Sequence, residues 1–304
     1  MIVRVLGSAA GGGVPQWNCA CANCAAARAG RAPRRTESTL AISPKAAQGR
    51  HWFLLNCSPD IASQIEAFPP LQPPHGRFTP IGDVLLTDAN LDHIGGLAVL
   101  RQSTSRRIRV RSTAVVREIA AAQPSFAHFS VPPHLWLDVP LDEATTLRGD
   151  DDVAGDWLEI RTIAVGGTTP GYDGRRDVRG AVVAYEITET LSRERLLFAP
   201  IFSTINEALA DAIASASVAF LDGTCYSDDE LATTGLGEKR ARTMGHQPVG
   251  GAGGTLERIR SAQGRMIFTH LNNSNPMLDP HSEAYVAIAA SGAEIAYDGM
   301  ELTL

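Results

Sequence analysis

Residues 84–97 read VLLTDANLDHIGGL. Val84 to Thr87 is a compact apolar run, and it passes without a linker into the polar loop Asp88-Ala89-Asn90-Leu91-Asp92-His93. A short apolar run bounded by polar residues and glycines is the pattern of a buried strand. The end of a rigid strand is where a functional side chain can be held in place. Two more strands finish in the same way. Val218-Ala219-Phe220-Leu221 stops at Asp222-Gly223, and Met266-Ile267-Phe268-Thr269 stops at His270. Three strand ends therefore carry metal-ligand side chains: Asp92 and His93, Asp222, and His270. Two imidazoles and a carboxylate are enough for a catalytic metal that keeps open positions. Each residue also has a plainer reading. Asp92 can be an N-cap, His93 a hydrogen-bonded surface histidine, and Asp222 part of an ordinary turn. Their recurrence at three strand ends favours the metal.

The strands around these segments alternate with helices. Ile2 to Leu6 reads as a first strand, stopped by Gly7 and the cluster Gly11-Gly12-Gly13. Thr39 to Ile42, Trp52 to Leu55, Leu158 to Val165, Ala181 to Ile187 and Arg195 to Phe198 are further strands, and Ala114 to Ala122 is a helix. Thr204 and Glu207 have the spacing of a capping box ahead of Ile205, Leu209 and Ile213. Asp279-Pro280 reads as a helix start and Gly292 as its stop. The two halves share one rhythm, strands followed by a motif loop and helices. That rhythm predicts an α/β chain in four layers, helices outside two mixed sheets. A doubly wound parallel sheet is the second choice. The whole of 1–304 is expected to form one domain, because no low-complexity linker interrupts it.

The chain has 304 residues, 44% hydrophobic and 20% charged, with 27 basic and 33 acidic side chains and a net charge of −6. This balance argues against a general nucleic-acid or anionic-membrane surface. No run approaches the length of a membrane span, and MIVRVLGSAAGGG lacks the pattern of a signal peptide. A cytoplasmic location is expected. A homodimer stays open, on the general frequency of two-fold assemblies alone.

CACANC at 19–24 places three of the five cysteines in a C-x-C-x-x-C cluster. Three thiolates so close together suit a closed tetrahedral zinc site that staples the loop from about 15 to 35. Cys57 and Cys225 stand apart from it and read as plain core or surface residues. Gly7 to Gly13 has neither the spacing nor the lysine of a phosphate loop and is read as tight backbone packing near the site. Arg31, Arg34 and Arg35 can meet a carboxylate-rich substrate, although a solvated loop is the simpler reading. The amides of 271–276 either line a pocket or cap turns, and the polar segment from Tyr172 to Asp177 suits a flap. His51, His75, His128, His134 and His281 have no such context.

TDANLDHIGGL at 87–97 resembles the metallo-β-lactamase superfamily signature T-H-x-H-x-D-H-x-x-G. The Asp-His pair and the double glycine match, whereas Asp88 and Asn90 replace the two leading histidines. LDGT at 221–224 and Thr269-His270 fall where that superfamily has its later aspartate and last histidine. Its intermediate histidine has no counterpart, because Gly180 is followed by Ala181. VLGSAAGGGVPQWNCACANC at 5–24, NCSPDI at 56–61, DGTCYSDDE at 222–230, MGHQ at 244–247 and HLNNSNP at 270–276 resemble the pyrroloquinoline quinone (PQQ) biosynthesis protein B family, as does the closing YDGMELTL.

That resemblance implies a role in making PQQ from a glutamate and a tyrosine of a small precursor peptide, with hydroxyl groups added to the tyrosine ring. It suggests an Fe(II)- and dioxygen-dependent hydroxylase in which Asp92, His93 and His270 hold the metal, either Fe2+ or Zn2+. Asp222 would be a fourth ligand or an outer base, Asp88 would accept a proton or fix a water, and His246 would orient substrate or donate a proton. One alternative is non-catalytic binding or transport of PQQ or its precursor. A second is a metal-dependent hydrolase. Related superfamily members with this cysteine spacing complete the zinc site with a histidine three residues past the last active-site histidine, which here is Asn273.

Overall fold

Strand formation follows the runs of branched and aromatic residues. The first half supplies β1 (Ile2–Gly7), β2 (Thr39–Ser43), β3 (Trp52–Leu55), β4 (Ile81–Leu85), β5 (Arg109–Ser112) and β6 (Leu135–Asp138). The second half supplies β7 (Ala144–Arg148), β8 (Asp156–Ala164), β9 (Val183–Glu189), β10 (Arg195–Ala199), β11 (Val218–Asp222), β12 (Arg265–Thr269) and β13 (Glu294–Ile295). The last strand, β14 (Glu301–Thr303), returns to pair with β1. The computed structural model describes residues 1–103, 106–132, 134–148, 156–174 and 178–304. Among them lie two seven-stranded sheets, ordered β14-β1-β2-β3-β4-β5-β6 and β13-β12-β11-β10-β9-β8-β7. Both are mixed: β3 to β6 and β10 to β13 run parallel, and the remaining pairs are antiparallel.

Successive side chains of a strand face opposite ways, and here both faces are covered. Phe53, Leu55 and Leu85 of one sheet meet Tyr185, Phe198 and Phe220 of the other in the space between the sheets. Trp52, Leu54 and Val84 instead pack outward against Ile94, Leu97 and Val116. Leu197, Leu221 and Phe268 pack outward against Leu209, Ile213 and Ile288. The result is the four-layer arrangement, helices outside two sheets, and not a single doubly wound sheet. Double burial explains why these strands read as continuous apolar runs without alternation.

Some local expectations shift. The helix expected after Thr204 is Glu207–Ser215, and its cap is Asn206, whose Oδ1 accepts the Leu209 N–H at 2.9 Å. Asp279-Pro280 does not start the last helix. Pro276–Leu278 forms a 3-10 turn that ends at Asp279, and Ser282 caps Glu283–Ser291 by accepting the Tyr285 N–H. Gly292 does stop that helix, in the left-handed region at φ 80°. Tyr172 donates its hydroxyl to the Ala89 carbonyl beside the motif loop. Residues 175–177 of the expected flap lie outside the described residues.

The topology gathers the strand ends. Parallel pairing sets Leu55 beside Leu85 in one sheet and Asp222 beside Thr269 in the other. The Val183 N–H bonds the Thr87 carbonyl and ties the two rims together. The segment after β1 continues across: Ala9 bridges Glu37 on one side and Leu271 on the other.

Candidate metal centre

The loop after β4 is shaped by Asp88. Its Oδ1 accepts the Asn90 N–H at 2.9 Å and the Asn90 side-chain amide at 2.8 Å. Its Oδ2 accepts the Thr87 hydroxyl at 2.7 Å and bonds His93 Nδ1 at 2.6 Å. An ionised carboxylate has about four acceptor positions, so Asp88 has none left for a proton or a water. Asp88 is fully buried and stands behind His93. A one-turn helix, Leu91–Ile94, then presents Asp92 and His93. Asn56 steadies the strand end from β3, its Oδ1 accepting the Thr87 N–H at 3.0 Å.

The second sheet repeats the device. Asp222 is also fully buried. Its Oδ1 accepts the Thr224 N–H and hydroxyl, and its Oδ2 accepts the Phe202 N–H and bonds His246 Nδ1 at 2.8 Å. All four of its positions are used as well, and its carboxylate, His246 and His270 bring ligand atoms within 4.8 Å of one another. Having donated to Asp222, the Thr224 hydroxyl accepts from His270 Nδ1 at 2.7 Å. Neither Thr224 nor Asn56 was singled out as a site residue in the sequence. The only signal for Thr224 is its place in LDGT.

These bonds assign the imidazole protons. His93 and His270 each carry hydrogen on Nδ1, so each aims a bare Nε2 inward. His270 Nε2 stands 3.2 Å from Asp92 Oδ2, and His93 Nε2 stands 3.7 Å from the same oxygen. Three acceptors face one point. His93 Nε2 is buried with no hydrogen-bond partner among the described residues. Only a proton or a cation makes this arrangement favourable, and the set fits a divalent metal. Titration separates the two rings, and burial lowers His270. Burial alone would lower His93, but the Asp88 and Asp92 carboxylates outweigh it and raise the imidazole to about 9. Burial opposes ionisation of Asp92 too, yet the imidazoles of His93 and His270 hold its carboxyl well below the usual range. His270 reaches its position at φ 57°, a left-handed backbone that is uncommon for a residue with a Cβ. Such strain gathers at functional sites.

His246 follows Gly245 and stacks on His270, ring centres 5.5 Å apart and 27° between planes. Both rings line a cavity of about 490 Å³, together with Asp92, Asn90, Asn272 and Thr168. Gly11 closes on Asp92, where an added Cβ would stand 3.2 Å from Oδ2. The glycine run is therefore tight packing at the site, as its sequence suggests.

The thiols of Cys19, Cys21 and Cys24 also converge, their sulfurs within 4.8 Å of one another. The Asn273 side-chain amide nitrogen donates toward all three, at 3.0, 3.6 and 3.4 Å. The Arg28 guanidinium holds the loop by the carbonyls of Gln16, Trp17 and Cys19. The two clusters share a wall, since Asn18, Cys19 and Asn273 line the same cavity as His270. Asn272 and Asn273 thus line the pocket, while Asn275 caps the next turn through the Met277 N–H. Cys57 and Cys225 are buried elsewhere, and burial pushes both thiols up. Arg35 bonds Ser8 Oγ and the Ala296 carbonyl, and Arg31 and Arg34 are exposed away from the cavity lining.

A fold of this kind with ligands at its strand ends defines a class. The family model for the β-lactamase superfamily domain matches residues 51–271. Within that class the chain belongs to the coenzyme PQQ synthesis protein B family. It is 38% identical to the Azoarcus sp. (strain BH72) protein of that name over 312 aligned positions, covering all of both chains. It is 39% identical to the one from Rhizobium meliloti (strain 1021), covering 99% of this chain and 97% of the relative. Zn(2+)-bound PqqB from Methylobacterium extorquens superposes with a TM-score of 0.91 at 33% identity, covering both chains completely. No helix among the described residues is long and apolar enough to cross a membrane.

Proposed function

We propose that this chain acts in PQQ biosynthesis as a metal-dependent hydroxylase of the precursor tyrosine, free or in peptide form. One observation carries the reading: the bare nitrogens of His93 and His270 and the carboxylate of Asp92 face a single point beside an open cavity. Two imidazoles and one carboxylate are the facial set that leaves positions vacant. Bound there, Fe(II) would supply dioxygen binding and activation at those vacancies. Zinc fits the same residues, and the Methylobacterium extorquens relative is described as Zn(2+)-bound.

The chain's own residues divide the remaining tasks. Asp88 and Asp222 keep both ligand histidines in the tautomer that offers Nε2. His246, with Nδ1 committed to Asp222, leaves Nε2 for the cavity and is the residue placed to exchange a proton with the ring. The reaction balances without another reductant when it runs to the ortho-quinone: one phenol and one dioxygen give one quinone and one water. The thiol cluster with Asn273 holds structural zinc and forms the opposite wall. Five cysteines with no disulfide among the described residues suit a reducing, cytoplasmic setting.

The test is anaerobic loading with Fe(II), then exposure to labelled dioxygen with free tyrosine or a tyrosine-containing peptide. Label in the ring of the product is expected. No incorporation with any metal overturns the hydroxylase reading, and tight binding of PQQ without turnover then supports a carrier.

A further inference from the structure

The three ligands are not held alike. His93 is fixed by Asp88, and His270 by Thr224 and Asp222. Asp92 is the exposed member, its side chain 18% accessible against 0% and 3% for the two histidines. Beyond those histidines and its own backbone, it has no hydrogen-bond partner among the described residues. What confines it is contact. The backbone of Gly11 lies so close that a Cβ there would stand 3.2 Å from Oδ2. Gly11 opens a turn whose next residues, Gly12 and Gly13, have φ of 94° and 67°, values only glycine takes readily. Left to itself, a run of three glycines is the most mobile wall a site could have.

One side chain fastens it. The Gly12 N–H donates to Glu37 Oε1 at 2.6 Å. Glu37 is itself held by its backbone: its N–H donates to Asp60 Oδ2 at 3.0 Å, its carbonyl accepts from Gln64 Nε2 at 2.9 Å, and it bridges Ala9. The other oxygen, Oε2, is buried without a partner among the described residues. A buried acceptor left unmatched lowers stability, so a glutamate here is a poor choice for folding alone. Burial, with Asp92 and Asp60 nearby, raises its carboxyl to about 7.

We propose that Glu37 is a positioning residue of the metal centre, and that by holding the Gly12 N–H it keeps the glycine turn closed on Asp92 and its carboxylate turned toward His93 and His270. Glu37 completes the pattern set by Asp88 and Asp222, a carboxylate behind each ligand, and acts here through the backbone. The inference rests on the reading that Asp92, His93 and His270 bind a divalent metal.

The experiment is competition between a chromophoric chelator and the full-length protein for Co(II), with zinc at the cysteine cluster counted as an internal standard. Wild type must first bind cobalt at the imidazole–carboxylate centre; if it does not, the metal reading fails and not the role of Glu37. Given that binding, E37A is expected to weaken cobalt affinity about tenfold or more, the usual scale for losing outer-shell support. E37Q, which keeps an acceptor for the Gly12 N–H, is expected to stay within about threefold on the same scale. Zinc at the cysteine cluster should stay at one equivalent in both. Should E37A not fold, G11A is the second probe, because its methyl meets Asp92 Oδ2 directly and should weaken cobalt binding alike. Wild-type affinity in E37A, or a lower melting temperature with unchanged affinity, overturns the proposal. For a chain in which E37A does not fold, unchanged affinity in G11A overturns it.

Discussion

The two ligand clusters share a cavity wall and are built in opposite ways. Cys19, Cys21 and Cys24 lie within six residues, and among the described residues Asn273 comes to them from far along the chain. Asp92 and His270 stand 178 positions apart and meet because two sheets bring their strand ends to one rim. On the proposed reading the first cluster is a local chelate whose geometry the loop nearly dictates. The second needs the whole fold, and it needs an outer ring of Asp88, Asp222 and Thr224 to decide which nitrogen each histidine presents. A local chelate should contribute mainly to stability, and an assembled one mainly to binding and chemistry.

The sharpest way to break this contrast is at the thiols. C21S should remove one zinc equivalent and lower unfolding stability by about 4 kcal/mol or more, the scale of losing a structural metal. Cobalt uptake by the other centre should survive in whatever fraction stays folded. Elemental analysis and a denaturant titration read both quantities. Equal loss at both centres would make them one unit.

At the assembled centre the effect should run the other way. His270→Gly deletes a ligand, so metal affinity should fall at least about a thousandfold. Because residue 270 sits at φ 57°, the glycine variant should be more stable than His270→Ala by about 1 kcal/mol. Comparing the two variants by chemical denaturation tests whether the backbone there is strained; alanine matching glycine would show that it is not.

Asp88→Asn should weaken the same centre by about 10- to 100-fold. An amide has one oxygen acceptor where the carboxylate has two, and one end of it must face a donor. His93 would then lose the bond that sets its tautomer. Thiol-bound zinc should not change, and chelator competition measures both sites at once.

The smallest effect is expected where the two clusters join. Glu230 accepts the Ser274 hydroxyl at 2.5 Å, and Ser274 accepts from the Asn272 amide. Burial raises the Glu230 carboxyl to about 7 from an ordinary 4.5, against hydrogen bonds from Ser274 and Tyr226. With a raised folded value, its contribution is complete below the unfolded value and is lost as pH rises through about 7. Wild type should therefore lose stability on the order of 1–2 kcal/mol between pH 5 and 8 through this group. Glu230→Gln should flatten that slope in melts across pH. An unchanged slope would show that Glu230 is already ionised in the fold.

Much of this was legible in the residues. The cysteine spacing, the Asp92-His93 pair, and strands stopping at Asp222 and His270 are all short-range patterns, and strand periodicity is local physics. The resemblance of 5–24, 222–230 and 270–276 to one family fixed the expected chemistry. Helix starts were less legible. Ser, Asn, Asp and Thr crowd several positions before each helix, and only the path of the preceding turn chooses Asn206 over Thr204 or Ser282 over Asp279.

What sequence alone determined is the kind and order of donors: soft sulfur clustered at 19–24, and imidazole and carboxylate at strand ends. Such facts survive in one dimension because they depend on neighbours along the chain. The tertiary structure decided which donors are free. The sequence shows Asp88 and Asp222 as carboxylates near the site, and only the fold shows that each already accepts four hydrogen bonds. Glu37 looks incidental until its oxygen is found on Gly12. Whether a lone pair is occupied depends on partners from other strands, and only packing in three dimensions brings those partners within reach.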